Sequence, residues 1–239
     1  MVIVAHPDDA EFSMAGTIAA WARRGCRVIY VLCTDGNVGS HEPGMTRERL
    51  AQIRRAEQRA ACEVLGVRDI VFLGHDDGQL EPTLELRREL VGVVRRYRPE
   101  VVLTTDPTTV LTDGDYINHA DHRAAAQAAL DAVAPACQMH LLWPEMGEPH
   151  RVQRVYVRSM GKANTWIDIG ETIDLKIEAL KKHVSQVGDW DPSDMIKQWA
   201  AETGKEKGMA YAEAFRVINL VRRPREEPKD SSAEQKGSE

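Results

Sequence analysis

His6, Asp8 and Asp9 fall in the stretch AHPDDAEF, residues 5 to 12, directly behind the apolar run MVIVA. His6 and Asp9 stand three apart across a turn that Pro7 starts, so both side chains can address one centre. A second pair, His119 and His122 in HADH, has i, i+3 spacing and shares one face at the head of an alanine-rich helical stretch. Two imidazoles and one carboxylate are a common ligand set for Zn²⁺ or Fe²⁺ with a position left open to water. Each cluster also has a plainer reading, as a capped or solvated helix start. Brought together, the acids and histidines would have nothing but a cation to neutralise them.

One centre needs elements that bring residue 6 near residue 122. MVIVA reads as a short buried strand, AGTIAAWARRG as a helix that stops at Gly25, and RVIYVLCT as a second strand. TRERLAQIRRAEQRAACEVLG is a long helical stretch ending at Gly66; DIVFLG, TLELRRELVGVVRRYR and EVVLTTDP then give strand, helix and strand. This alternation predicts an α/β, Rossmann-like, mostly parallel sheet with helices on both faces. HPDDAE, TDG, HDDG and TDP each follow a strand, and in such a sheet those strand ends share the edge where ligands bind. Further on, HADHRAAAQAALDAVA and ETIDLKIEALKKHVSQ read as helices, RVQRVYVRS and TWIDI as strands. Residues 1–220 are expected to form one domain; residues 221–239, charged and poor in apolar side chains, a disordered tail.

The 239 residues are 43% hydrophobic and 28% charged, which suits a packed core rather than disorder. A formal net charge of −6 and no long basic stretch argue against nucleic acid or an anionic membrane as partner. No apolar run approaches the ~18 residues that a membrane span needs. Cys26, Cys33, Cys62 and Cys137 are widely spaced without a CxxC pair, so thiols in a reducing compartment are expected, with the cytoplasm as the setting. No G-x-G-x-x-G follows the first strand, which counts against a dinucleotide site, and no G-x-S-x-G elbow marks a serine hydrolase.

AHPDDAEF followed by HADH resembles the LmbE-like, or PIG-L, family of metal-dependent N-deacetylases. TDGNVGS, FLGHDDGQL, DIGETIDLKIEAL, HVSQ and YAEAF are similar to family segments in family order, so the likeness spans roughly residues 1 to 220. The resemblance implies His6, Asp9 and His122 as ligands of a zinc ion (Fe²⁺ or another divalent ion being possible) and Asp8 as general base. It makes a protonated His119 the second catalytic group, at the oxyanion or as proton donor, with Asp121 orienting the histidines. HADH has Ala120 where the family more often has proline. Arg54 or Arg55 and Asp77 match positions where relatives hold sugar hydroxyls, and His183 and Gln186 in HVSQ are expected to line the pocket, the alternative for His183 being a satisfied residue on a helix surface. An arginine on an amphipathic helix is more often solvated, and Asp77-Gly78 is a turn signal in its own right. The activity implied is removal of acetyl from an N-acetylglucosamine-type sugar or conjugate; alternatives are an amidase for a larger amide, such as a sugar–thiol conjugate, or a non-catalytic metal binder. Homo-oligomers are common among relatives.

Overall fold

The computed structural model describes residues 1–111, 116–158 and 162–221. Seven strands form one sheet in the order β3-β2-β1-β4-β5-β7-β6. They are β1 (Val2–Val4), β2 (Ile29–Thr34), β3 (Asp69–His75), β4 (Val101–Thr105), β5 (Arg154–Arg158), β6 (Thr165–Asp168) and β7 (Ala212–Asn219). β1 to β5 pair in parallel, while β7 runs antiparallel between β5 and β6. The expected alternation and its parallel sheet are both present.

Period-two alternation along the strands decides which residues face which layer. Ile3, Val31, Cys33 and Val155 pack on one side with α4 (Leu84–Tyr97) and α5 (Ala120–Val133). Val2, Val4, Tyr30 and Leu32 pack on the other, with α1 (Asp9–Ser13), α2 (Ala15–Arg23) and α3 (Arg47–Leu65). The longer helices carry their own stops. Thr46 and Thr83 accept hydrogen bonds from Arg49 N and Leu86 N as N-caps, and Gly66 ends α3 at φ 75°.

The HPDD turn runs straight into a short helix of its own, α1, ahead of the helix expected from Ala15. The stretch expected as one helix over residues 171–186 is two, α6 (Ile173–Leu180) and α7 (Val184–Val187). Between them the chain turns so that His183 is fully buried against Glu11. The structure adds α8 (Ser193–Lys205) and β7 to the expected elements, and β7 is what makes the sheet mixed. The tail beyond Val221 lies outside the described residues. No described helix is long and apolar enough to cross a membrane.

Strand order reverses at β1, whose neighbours are β2 and β4. That is a topological switch point, where a crevice opens beyond the carboxyl ends of the strands. His6 stands two residues past the end of β1, in that crevice.

β7 locks the far end of the chain to the near end. The Glu213 carboxylate, 2% exposed, accepts from Gly16 N (3.1 Å) and Thr17 N (2.8 Å) at the start of α2, and pairs with buried Lys176 of α6 (2.6 Å). Glu213→Ala should therefore lower stability by about 3–5 kcal/mol in urea titrations, because a buried ammonium loses its counter-charge. A loss below about 1 kcal/mol would mean that this clamp is replaceable.

Candidate active site

The site begins in the turn after β1. Asp8 has φ 93° and ψ −25°, left-handed backbone that non-glycine residues seldom adopt and that costs on the order of 1–3 kcal/mol. Two side chains of α3, one helical turn apart, hold it there. Arg54, 4% exposed, donates to Pro7 O (2.6 Å), Gly36 O (3.0 Å) and the Asp8 carboxylate (3.0 Å). Gln58, fully buried, accepts from Asp8 N (3.2 Å). Gly36 makes room for the guanidinium: a Cβ there would stand 2.1 Å from Arg54 Nη1, and φ is +63°.

The imidazoles are oriented by partners on their outer sides. His6 Nε2 lies 2.9 Å from Asp77 Oδ1 and 3.2 Å from Asp121 Oδ2. Carboxylates only accept, so His6 Nε2 carries a proton, and Nδ1 is the nitrogen that faces inward toward Asp9. His122 is the mirror case. Its Nδ1 meets Asn118 Oδ1 at 3.1 Å, which leaves Nε2 to face Asp9 Oδ1 at 2.9 Å. Asp9 Oδ2 stands 3.6 Å from His6 Nδ1 and accepts from His6 N at 2.8 Å. His119, at the N-cap of α5, accepts from Asp121 N through Nδ1 (3.2 Å), so its Nε2–H is the available donor. The His119 ring centroid is 5.0 Å from that of His6 and 5.4 Å from that of His122.

Four carboxylates (Asp8, Asp9, Asp77, Asp121) face one guanidinium here, so their charge must be met by protons on the imidazoles or by a cation. Burial opposes a charge on His6, but Asp9, Asp121 and Asp77 outweigh it and push its pKa up to about 12. Burial would raise Asp9; His122 and His6 hold it well below the usual carboxylate range instead. Asp8 moves the other way. Burial lifts it to about 6 against the opposing pull of Arg54. His119 is lowered, by burial first and then by the charge on His6.

The donor set fits a divalent ion. Bonds of 2.0–2.1 Å in a tetrahedral arrangement leave donors about 3.4 Å apart. Asp9 Oδ1 stands 2.9 Å from His122 Nε2 and Asp9 Oδ2 3.6 Å from His6 Nδ1, so each imidazole meets a carboxylate oxygen near that spacing. Two further groups bring their donor atoms within 4.8 Å of one another: His6, His119 and His122, and His6, Asp77 and Asp121. Asp77 and Asp121 approach His6 on its outer nitrogen, where carboxylates orient a liganding histidine.

A cavity of about 720 Å³ opens over this cluster. His6, Asp8, Asp9, Arg54, Asp77, His119, His122 and Gln186 all border it. Asp121 is 1% exposed and lies beneath the wall. His183 is not on the wall: it is fully buried, with Nε2 3.4 Å from Glu11 Oε2. Arg55 turns away to Asp35 and the Phe72 ring. The Asp77 carboxylate is already engaged on both oxygens, by His6 and, at 3.4 Å, by Val38 N.

Sequence reasoning missed Asn118, although its i, i+4 spacing to His122 was a usable signal. It also missed Phe12, Tyr116 and Trp199, the aromatic side chains of the cavity. Nothing local marks Trp199, which arrives from α8.

Fold and cluster together define a Rossmann-like protein with a histidine–carboxylate centre at the carboxyl edge of its sheet. The family described as PIG-L, GlcNAc-PI de-N-acetylase, matches residues 1–133, and the chain belongs to it. It is 32% identical over 226 residues to a diacetylchitobiose deacetylase of Thermococcus kodakarensis, covering 91% of this chain and 82% of that one. A probable N-acetyl-α-D-glucosaminyl L-malate deacetylase 2 of Bacillus anthracis is 30% identical over 195 residues, 78% of this chain and 80% of that one. Among solved structures, N,N'-diacetylchitobiose deacetylase from Pyrococcus horikoshii, in complex with its inhibitor MPG, superposes with a TM-score of 0.82 at 29% identity. The match covers 90% of this chain and 81% of that one.

Asn118→Ala should weaken divalent-ion binding about 10–100-fold, because the His122 ring loses the acceptor that fixes its tautomer. Zinc titration of chelator-stripped protein by calorimetry measures this. Unchanged affinity would free His122 from any dependence on Asn118.

Proposed function

We propose that the chain is a metal-dependent N-deacetylase that removes acetyl from an N-acetylglucosamine-type amino sugar or a conjugate of one. Zinc is the ion we assign, held by His6, Asp9 and His122. The observation that carries the reading is Asp8. It borders the cavity next to this ligand set, yet Arg54 and Gln58 hold it apart from the imidazole pairs. A protein that merely stores a metal has no use for such a carboxylate.

An amide is a poor electrophile, so its hydrolysis needs a strong nucleophile and charge stabilisation at the carbonyl oxygen together. A divalent ion in this set supplies both, polarising the carbonyl and lowering the pKa of water to about 7. Asp8 takes the proton of the attacking water. His119, neutral because its Nδ1 already accepts from Asp121 N, donates Nε2–H to the developing oxyanion. This differs from the protonated His119 expected at the outset. With His119 neutral, the departing amine takes its proton from Asp8, which has just acquired one. Asp121 keeps His6 and His119 in their tautomers.

Arg54 and Asp77 border the cavity where sugar hydroxyls would lie, and Trp199, Tyr116 and Phe12 offer ring faces beyond them. The cavity volume falls inside the roughly 300–1,000 Å³ usual for ligand sites, which suits a sugar carrying a further substituent. Residues 1–220 act as one unit on this reading, since the cavity wall draws on positions from His6 to Trp199. Cys26, Cys33, Cys62 and Cys137 are all free thiols, which suits the cytoplasm. A screen of N-acetylated amino sugars with zinc-loaded protein, reading free amine and acetate, tests the activity; no turnover on any of them would reject it.

The adjacent aspartates separate the roles. Asp9→Ala should lose both zinc and activity. Asp8→Ala should keep zinc while kcat falls about 10²–10⁴-fold. The base must be deprotonated to act, so wild-type activity should fall toward acid pH. A nearby cation draws the Asp8 pKa down, which places that limb at or below pH about 6. In Asp8→Ala the limb should weaken or vanish. Equal zinc loss in both variants would reject this division, and full activity in Asp8→Ala would reject the mechanism.

A further inference from the structure

Gln58 sits in the interior of α3, fully buried, and its whole amide is committed. Oε1 accepts from Asp8 N at 3.2 Å, and Nε2 donates to Glu11 Oε1 at 3.0 Å. The orientation is fixed by chemistry, since a backbone N–H can only donate and a carboxylate can only accept. Glu11 is itself fully buried, and its other oxygen lies 3.4 Å from His183 Nε2. A chain of polar contacts thus runs from His183 through Glu11 and Gln58 to the one backbone N–H in the HPDD turn that belongs to a left-handed non-glycine residue.

We propose that Gln58 is a positioning residue for the reaction, latching the Asp8 backbone in its left-handed conformation so that the carboxylate addresses the attacking water. Glu11 is the anchor of the latch, and His183 backs it. Arg54 fixes the Asp8 carboxylate laterally, but it grips Pro7 O and Gly36 O equally and leaves the Asp8 N–H untouched. Without Gln58 that half-buried N–H loses its partner, and the turn has reason to relax toward ordinary backbone. This also gives the buried His183 a use that does not require it to reach the cavity. The inference rests on the deacetylase reading for its kinetic consequence and on geometry for the latch itself.

The test compares wild type, Gln58→Leu, Gln58→Glu and the double variant Glu11→Gln/Gln58→Glu. Gln58→Glu keeps an acceptor for Asp8 N but sets two carboxylates against each other. The double variant exchanges donor and acceptor and restores both bonds. The Asp8 amide, followed by NMR hydrogen exchange in metal-free protein, should exchange about tenfold faster in Gln58→Leu, while the Leu50 amide in the same helix stays unchanged. On an amino-sugar substrate, kcat should fall roughly 10–100-fold in both single variants, with KM within about twofold and zinc content whole. The double variant should recover most of the lost kcat. Unaltered Asp8 exchange in Gln58→Leu overturns the latch, and so does a double variant no better than Gln58→Glu alone. Should Gln58→Leu not fold, the pair of Glu variants decides the matter by itself. A wild type inactive on every amino sugar would sink the deacetylase reading, and the exchange data would still decide the latch.

Discussion

The carboxylate of Asp121 joins three parts of the chain that are far apart in sequence. One oxygen takes the Gly78 N–H at 2.7 Å and lies 3.2 Å from His6 Nε2; the other takes the Leu80 N–H at 3.3 Å. It therefore ties the start of α5 to the loop after β3 and to the turn after β1. A charge that deep is tolerable only with such partners. Take those partners as given and the rest follows: His6 has one tautomer, its inner nitrogen points one way, and His119 is fixed by the neighbouring amide. The geometry of the centre is set from behind, by groups that a ligand never touches.

The same logic explains why so much of the site was legible in the sequence and why part was not. His6, Asp9, His119 and His122 lie in short clusters directly after a strand or at a helix head, where spacing alone predicts a common direction. Arg54 offered no such signal. An arginine in the middle of an amphipathic helix looks solvated, and only the third dimension shows it buried among Pro7, Gly36 and Asp8. Gly36 is one residue of the TDG cluster after β2, and nothing in that cluster marks its missing Cβ as what admits the guanidinium.

In the second half of the chain local patterns say less. β7 depends on pairing with β5 and β6 across long stretches of sequence, and its buried Glu213 runs against any simple hydrophobic pattern. His183 shows the converse error: a histidine in a family-like segment was expected on the wall, while the break between α6 and α7 carries it inward to Glu11. Sequence proximity to other polar residues did not distinguish support from contact.

The reach of Glu213 back to Gly16 and Thr17 also imposes an order on the making of the protein. Synthesis proceeds from the amino end, and the parallel strands β1 to β4 emerge with the histidines and aspartates of the centre well before β7 exists. Until residue 213 has left the ribosome, the start of α2 lacks its anion and Lys176 lacks its counter-charge. α2 follows α1 almost without a break, and α1 begins at Asp9 itself. A nascent chain therefore carries every chemical group of the centre while the helix that follows α1 still lacks its anion, so that end of the frame is fastened last.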